Sequence, residues 1–270
     1  MKKFVTTLVA ALAAITCAFA FTACGDEKDE EENVTYAPIT QEQWDDFLTF
    51  AYNYYYSEEG PVTCDMSKMN FTVKQDYTLY EDVTYSMTST TKIDYINSKA
   101  SSYEAEFKFG SESGKTVYYL WEDASGKVLE YGDEVVGEGE EPEIDVLEGN
   151  GIATAGIGIF SEFVYAFGIS VQELTERYGN PRATLADLTY DEQSCGYKIQ
   201  IKEYNEETNL DEVVDMEFYF ADGNIAKFVS DYYYLHSDSK RTDCEKVTER
   251  FTHYGNTSVT VPNNIKNYQG

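Results

Sequence analysis

"FTVKQDYTLYEDVTYSMTSTTKIDY", residues 71–95, decides how this chain folds. In its first part Phe71, Val73, Tyr77 and Leu79 alternate with Thr72, Lys74, Asp76 and Thr78. In its second, Val83, Tyr85, Met87, Ile93 and Tyr95 alternate with Thr84, Ser86, Thr88, Lys92 and Asp94. A period of two sends successive side chains to opposite faces, so each run reads as a strand with one buried and one wet face. A third run repeats the pattern, Tyr103, Ala105, Phe107 and Phe109 against Glu104, Glu106 and Lys108. Three such runs in succession predict an antiparallel meander buried on one side, which 118–121 and 127–131 continue across Ala124-Ser125-Gly126.

Upstream of the meander the period changes to that of a helix. Thr40 and Gln43 have the spacing of a capping box, with Ile39 and Trp44 as its hydrophobic staple. Trp44, Phe47, Leu48, Ala51, Tyr54 and Tyr55 then form one apolar face opposite Asp45, Asp46 and Asn53. Downstream, residues 132–150 carry eight acids, four glycines and no base, which predicts a disordered acidic loop. "GIGIFSEFVYAFG", residues 156–168, is apolar nearly all round and predicts a covered core helix or lid, and Ser170 with Glu173 caps a helix after it. Strand periodicity returns at Tyr197, Ile199 and Ile201 and at Val214, Met216, Phe218 and Phe220, followed by an Asp222-Gly223 hairpin. Residues 225–235 and 244–251 form a further pair; with His236 opposite Asp243, Phe228 faces Phe251 and Tyr232 faces Val247.

The amino terminus reads as an export signal. Lys2 and Lys3 precede an uncharged, largely apolar stretch ending at Phe21-Thr22-Ala23-Cys24, after which the chain turns acidic. This boundary resembles the bacterial lipobox, in which the cysteine is lipidated, by diacylglycerol and commonly palmitate, and becomes the first mature residue. A rival cleavage after Ala18-Phe19-Ala20 would release a soluble secreted protein, and an uncleaved anchor is a third reading. The expected layout is a signal peptide over 1–23, a lipidated Cys24 with an acidic tether over 24–39, and one domain over 40–265. The protein is then exported and anchored to the cell-envelope membrane through Cys24.

Charge and residue content exclude several activities. With 49 acids against 20 bases the formal charge is −29, which leaves no basic footprint for nucleic acid. Cys64, Cys195 and Cys244 show no metal or redox spacing, and allow one disulfide or three free thiols. His236 and His253 lie ten residues apart along the predicted pair, too far to share a metal or a proton. No nucleophile elbow, zinc-protease motif, P-loop or dinucleotide fingerprint is present, so the chain reads as a non-enzyme without cofactor or metal. The 24 tyrosines, with runs at 54–56, 118–119 and 232–234, raise a second possibility: a surface module that binds a glycan or protein partner through exposed rings.

The order of parts, together with the ending "FTHYGNTSVTVPNN" at residues 251–264, resembles the LolA/LppX-like lipoprotein family. There a tyrosine-glycine pair leads into a short Val-rich closing strand stopped by proline. The resemblance implies an α+β fold, a curved antiparallel half-barrel packed on a few helices, with an apolar cavity for acyl chains. Strand periodicity then puts Val73, Tyr85, Met87 and Phe107 on the concave face, opposite Ile157, Phe160 and Val164 across the ligand pocket. The expected function is non-catalytic binding of a lipid or other apolar ligand.

Overall fold

The structure is a computed structural model that describes residues 34–55, 70–81, 83–134, 143–147 and 184–266. Helix α1 (Gln41–Tyr55) starts as its sequence requires. The Thr40 amide donates to Gln43 Oε1 at 2.9 Å and the Gln43 amide donates to Thr40 Oγ1 at 3.2 Å, closing the capping box. Ile39 and Trp44 are both buried in the core beneath it.

Eleven strands follow: β1 (Asn70–Leu79), β2 (Tyr85–Asp94), β3 (Ala100–Phe109), β4 (Glu112–Glu122), β5 (Val128–Glu134), β6 (Glu143–Leu147), β7 (Thr189–Asp191), β8 (Gly196–Asn205), β9 (Leu210–Ala221), β10 (Asn224–Leu235) and β11 (Arg241–Thr252). They form one open, curved, wholly antiparallel sheet in the order β6-β5-β4-β3-β2-β1-β11-β10-β9-β8-β7. Two meanders run outward from the centre, where the first strand pairs with the last from Thr72↔Thr252 to Leu79↔Glu245. The fold class is thus the α+β half-barrel. Strand β6 corrects the loop expected over 132–150, since β5 continues to Glu134 and pairs with 143–147 through Tyr131↔Ile144 and Gly132↔Glu143. The apolar segment 156–168 and the helix capped by Ser170 lie outside the described residues.

Turn chemistry sets the register. At the β9–β10 hairpin Asp222 and Gly223 both have positive φ, 51° and 78°, the two-residue turn whose twist matches the flanking strands. Between β10 and β11 the turn is tighter than the sequence suggests. His236 N donates to Lys240 O at 2.9 Å, and Ser239 N donates to His236 O at 2.9 Å, with Ser239 at φ 65°. Leu235 therefore faces Arg241, and a bulge beside Cys244 moves Tyr232 opposite Glu245 and Phe228 opposite Glu249. The expected pairs, Phe228 with Phe251 and Tyr232 with Val247, are displaced by two residues. A two-residue displacement keeps each side chain on its face but changes its neighbour.

The C-terminal segment departs from the closing strand that the family resemblance implies. Both edges of β11 are already paired, to β1 and β10, so no strand can add there. Instead the chain turns at His253 (φ 57°) and Gly255, whose amide donates to Asn70 O at 2.8 Å, and crosses the outer side of the sheet. Asn70 Nδ2 donates to Asp94 Oδ1 at 2.7 Å and to Thr257 O at 3.0 Å, and Thr257 N donates back to Asn70 Oδ1 at 2.7 Å. Val259, Val261 and Ile265, the last in the short helix α2 (Asn263–Lys266), bury Ala100, Trp121 and Tyr131.

Candidate functional site

The sheet has an inner face, on which α1 lies, and an outer face. At the α1 end Trp44 meets the rings of Phe218 and Phe220 edge-on at 5.4 and 6.1 Å, and Phe71, Phe228 and Phe251 complete a close-packed aromatic core. Val73 belongs to this core. The other expected residues on the sheet, Tyr85, Met87 and Phe107, share its face but sit nearer the opposite strand ends, where they cluster with Tyr77, Tyr103, Ala105 and Val247. Tyr85 stacks on Phe107 at 6.3 Å, and the Phe107 ring covers Gly114, where any Cβ would collide with it. Leu79, Tyr85, Tyr103 and Phe107 stay partly accessible. Ile157, Phe160 and Val164 lie outside the described residues, as does Cys24.

This second half of the inner face is not simply apolar. Glu212, Glu245 and Glu249, 4%, 6% and 2% exposed, belong to it. Tyr77 donates to Glu245 Oε2 at 3.2 Å and Gln75 Nε2 donates to Glu249 Oε1 at 2.9 Å. Burial raises the Glu245 carboxyl to about 7, against the opposing hydrogen bond from Tyr77. Burial also lifts the Tyr103 hydroxyl to about 12 and the Tyr85 hydroxyl above its usual value. These glutamates are not among the residues that strand periodicity singles out as apolar. Their signal was present, because in "EKVTERF" (245–251) the period of two places both glutamates on one face with Val247 and Phe251, the residues the apolar pairing of the strands used.

The outer face over β8–β11 holds an open groove of about 770 Å³, lined among others by Lys198, Glu217, Asp231, Lys246 and Arg250. Its acids are already engaged. Lys198 reaches Asp191 and Glu217 at 3.1 and 3.4 Å, and Arg241 meets Asp231 at 2.5 Å. Such exposed pairs read as a solvated strand surface. The tyrosine runs do not make a flat exposed row: Tyr118, Tyr119, Tyr232 and Tyr234 are half-buried, while Tyr233 is buried with the Arg241 guanidinium 3.9 Å over its ring. The run at 54–56 has no described side chains.

Cys195 and Cys244 are free thiols, and Cys64 lies outside the described residues. His236 pairs with Thr242 Oγ1 at 3.0 Å in the β10–β11 turn and His253 with Thr252 Oγ1 at 2.9 Å beyond β11. Among the described residues no three His, Cys, Asp or Glu side chains converge as metal ligands, and no helix is long and apolar enough to cross a membrane.

The chain matches no family model and no curated protein sequence. Among solved structures it is similar to a β-barrel-like protein of a domain of unknown function, DUF1849, from Brucella abortus, at 9% identity and TM-score 0.22 over 68% of this chain and 97% of that one. It is also similar to a putative outer membrane lipoprotein-sorting protein domain from Vibrio parahaemolyticus, at 9% identity and TM-score 0.23 over 83% and 97%.

Proposed function

We propose that this chain is a cell-envelope lipoprotein, anchored through a lipid on Cys24, that holds an acyl chain or another apolar ligand on the inner face of its half-barrel without catalysing a reaction. One observation carries the reading. The described side chains of helix α1 pack over one end of the inner face, and at the other Leu79, Tyr85, Tyr103 and Phe107 stay partly accessible around buried Met87 and Val247. A concave apolar surface of this kind is what a ligand with a hydrocarbon chain can cover, at about 25 cal/mol for each Å² removed from water. To this surface we assign the Tyr85–Met87–Phe107 group as ligand contacts, with Ile157, Phe160 and Val164 opposite; Val73, on the same face, is packed in the aromatic core. The sequence change at Ala23-Cys24-Gly25 supports the anchor.

Native mass spectrometry of the extracted protein tests the cavity: the wild type retains a lipid, and Met87→Asp releases it with the circular dichroism spectrum unchanged. Unfolding of Met87→Asp, with no lipid ever found on the wild type, overturns the reading in favour of a solid core. For the anchor, Cys24→Ala abolishes fatty-acid labelling and moves the protein to the soluble fraction. A mature start at Phe21 in intact-mass data contradicts it.

A further inference from the structure

Strand β11 sorts its charges by face. Glu245 and Glu249 share the inner face with Val247 and Phe251, while Lys246 and Arg250 stand on the outer one. The registers extend this rule across the sheet: every lysine and arginine within β1–β4 and β8–β11 occupies an outer-face position. The inner face of these strands therefore carries carboxylates with no basic side chain of its own.

Glu212 makes the deficit specific. It alternates in phase with Met216 and Phe218 and so belongs to the inner face. One of its oxygens accepts from Asn205 Nδ2; the other, Oε2, is buried with no hydrogen-bond partner. Two residues along β10 from the Glu212 partner, directly opposite Glu245, the Tyr232 hydroxyl is buried beside Tyr234. A buried oxygen left like that of Glu212 is costly, and a bound group that donates hydrogen bonds and carries positive charge removes the cost. Tyrosine rings border the carboxylates, with Tyr77 donating to Glu245 and meeting Tyr85 edge-on at 5.9 Å, and Tyr232 meeting Tyr234 at 5.7 Å. Aromatic faces beside carboxylates suit an organic cation. The described side chains offer no convergent metal-ligand set.

We propose that this half of the inner face receives the cationic head, an alkylammonium or similar amine, of an apolar ligand whose tail lies along the Met87–Phe107 cluster; the proposal rests on the apolar-ligand reading of that face. An anionic head would meet the carboxylates of Glu212 and Glu245, with no basic position on the inner face of these described strands. Calorimetric titration of the intact, delipidated chain at pH 8 with dodecylammonium, dodecanol, dodecanoate and spermidine separates the two ideas. The expected order is dodecylammonium tighter than dodecanol by at least about tenfold, with dodecanoate weakest. The Glu212→Gln, Glu245→Gln double variant should lose the preference while binding dodecanol as before. Equal affinity for dodecylammonium and dodecanol, or dodecanoate as the tightest, overturns the cation site but leaves the apolar one standing. Spermidine binding without dodecanol binding supports the cation site and sinks the apolar reading. Failure of all four overturns both.

Discussion

Along β9, β10 and β11 the inner face changes character within a few residues. Phe218, Phe228 and Phe251 lie under α1, the first two fully buried, and fill their space with rings. Beyond them, Glu212, Tyr232 and Glu245 place carboxylates and a hydroxyl on the same side of the same strands. The first region is explained by packing alone. The second is not, because Glu212 keeps a buried oxygen without a hydrogen bond and burial penalises the charge of Glu245. The contrast separates the part of the half-barrel that holds the chain together from the part that the proposed ligand would cover.

The largest expected effect lies in the packed half. Phe218→Ala removes a fully buried ring that contacts Trp44 and Phe228, and should cost about 3–5 kcal/mol in chemical denaturation. Tyr85→Ala, at a partly buried position, should cost clearly less while lowering lipid retention. Equal losses at the two sites would erase the distinction.

Next is a pH dependence confined to the other half. Glu245 lies opposite Leu79 on β1 and Tyr232 on β10, accepts from Tyr77, and has Cys244 beside it and Glu249 on the same face of its own strand. Its folded value of about 7 lies above the 4.5 of a free side chain, so the folded chain keeps a proton that the unfolded chain has released. Stability from this group is full below about pH 4.5, declines as pH rises, and is gone above about 7, a total of up to about 3 kcal/mol. Thermal unfolding between pH 5 and pH 8, at about those limits, should show the decline, and Glu245→Gln should flatten it. A slope unchanged in Glu245→Gln would assign the titration elsewhere.

Smaller effects sharpen the boundary. Thr40→Ala breaks the cap of α1 and should lower stability by about 1 kcal/mol without changing ligand preference, because the described side chains of α1 pack on the aromatic half. On the outer face Arg250 meets Asp76 at 2.6 Å, with both side chains about half exposed. Arg250→Ala should change stability by less than about 1 kcal/mol, and less still in high salt.

How far the chain could be read follows from the range of each interaction. Periodicity and caps are local, so α1 with its Thr40–Gln43 box, nine of the strands in outline, the Asp222-Gly223 turn and the shared face of Val73, Tyr85, Met87 and Phe107 were legible. So was the boundary at Cys24, an expectation the described residues do not reach. Strand β6 was hidden in acid-rich sequence, where composition outweighed the Ile144 and Val146 alternation that its pairing with β5 uses. The tail over 257–265 could not be placed from its own residues, because its path depends on Asn70 and Trp121, far away in the chain.

The sequence by itself determined helix α1, most of the strands and the acidic character of this protein, since each resides in residues close together along the chain. Which residue faces which was decided by tertiary structure: one tight turn at 236–240 and one bulge at Cys244 set Glu245 beside Tyr232 and Tyr77 instead of leaving a uniform aromatic face. Alternation chooses a side chain's face, but only the closing of turns and the pairing of distant strands choose its neighbours, and the chemistry of the inner face lies in those neighbours.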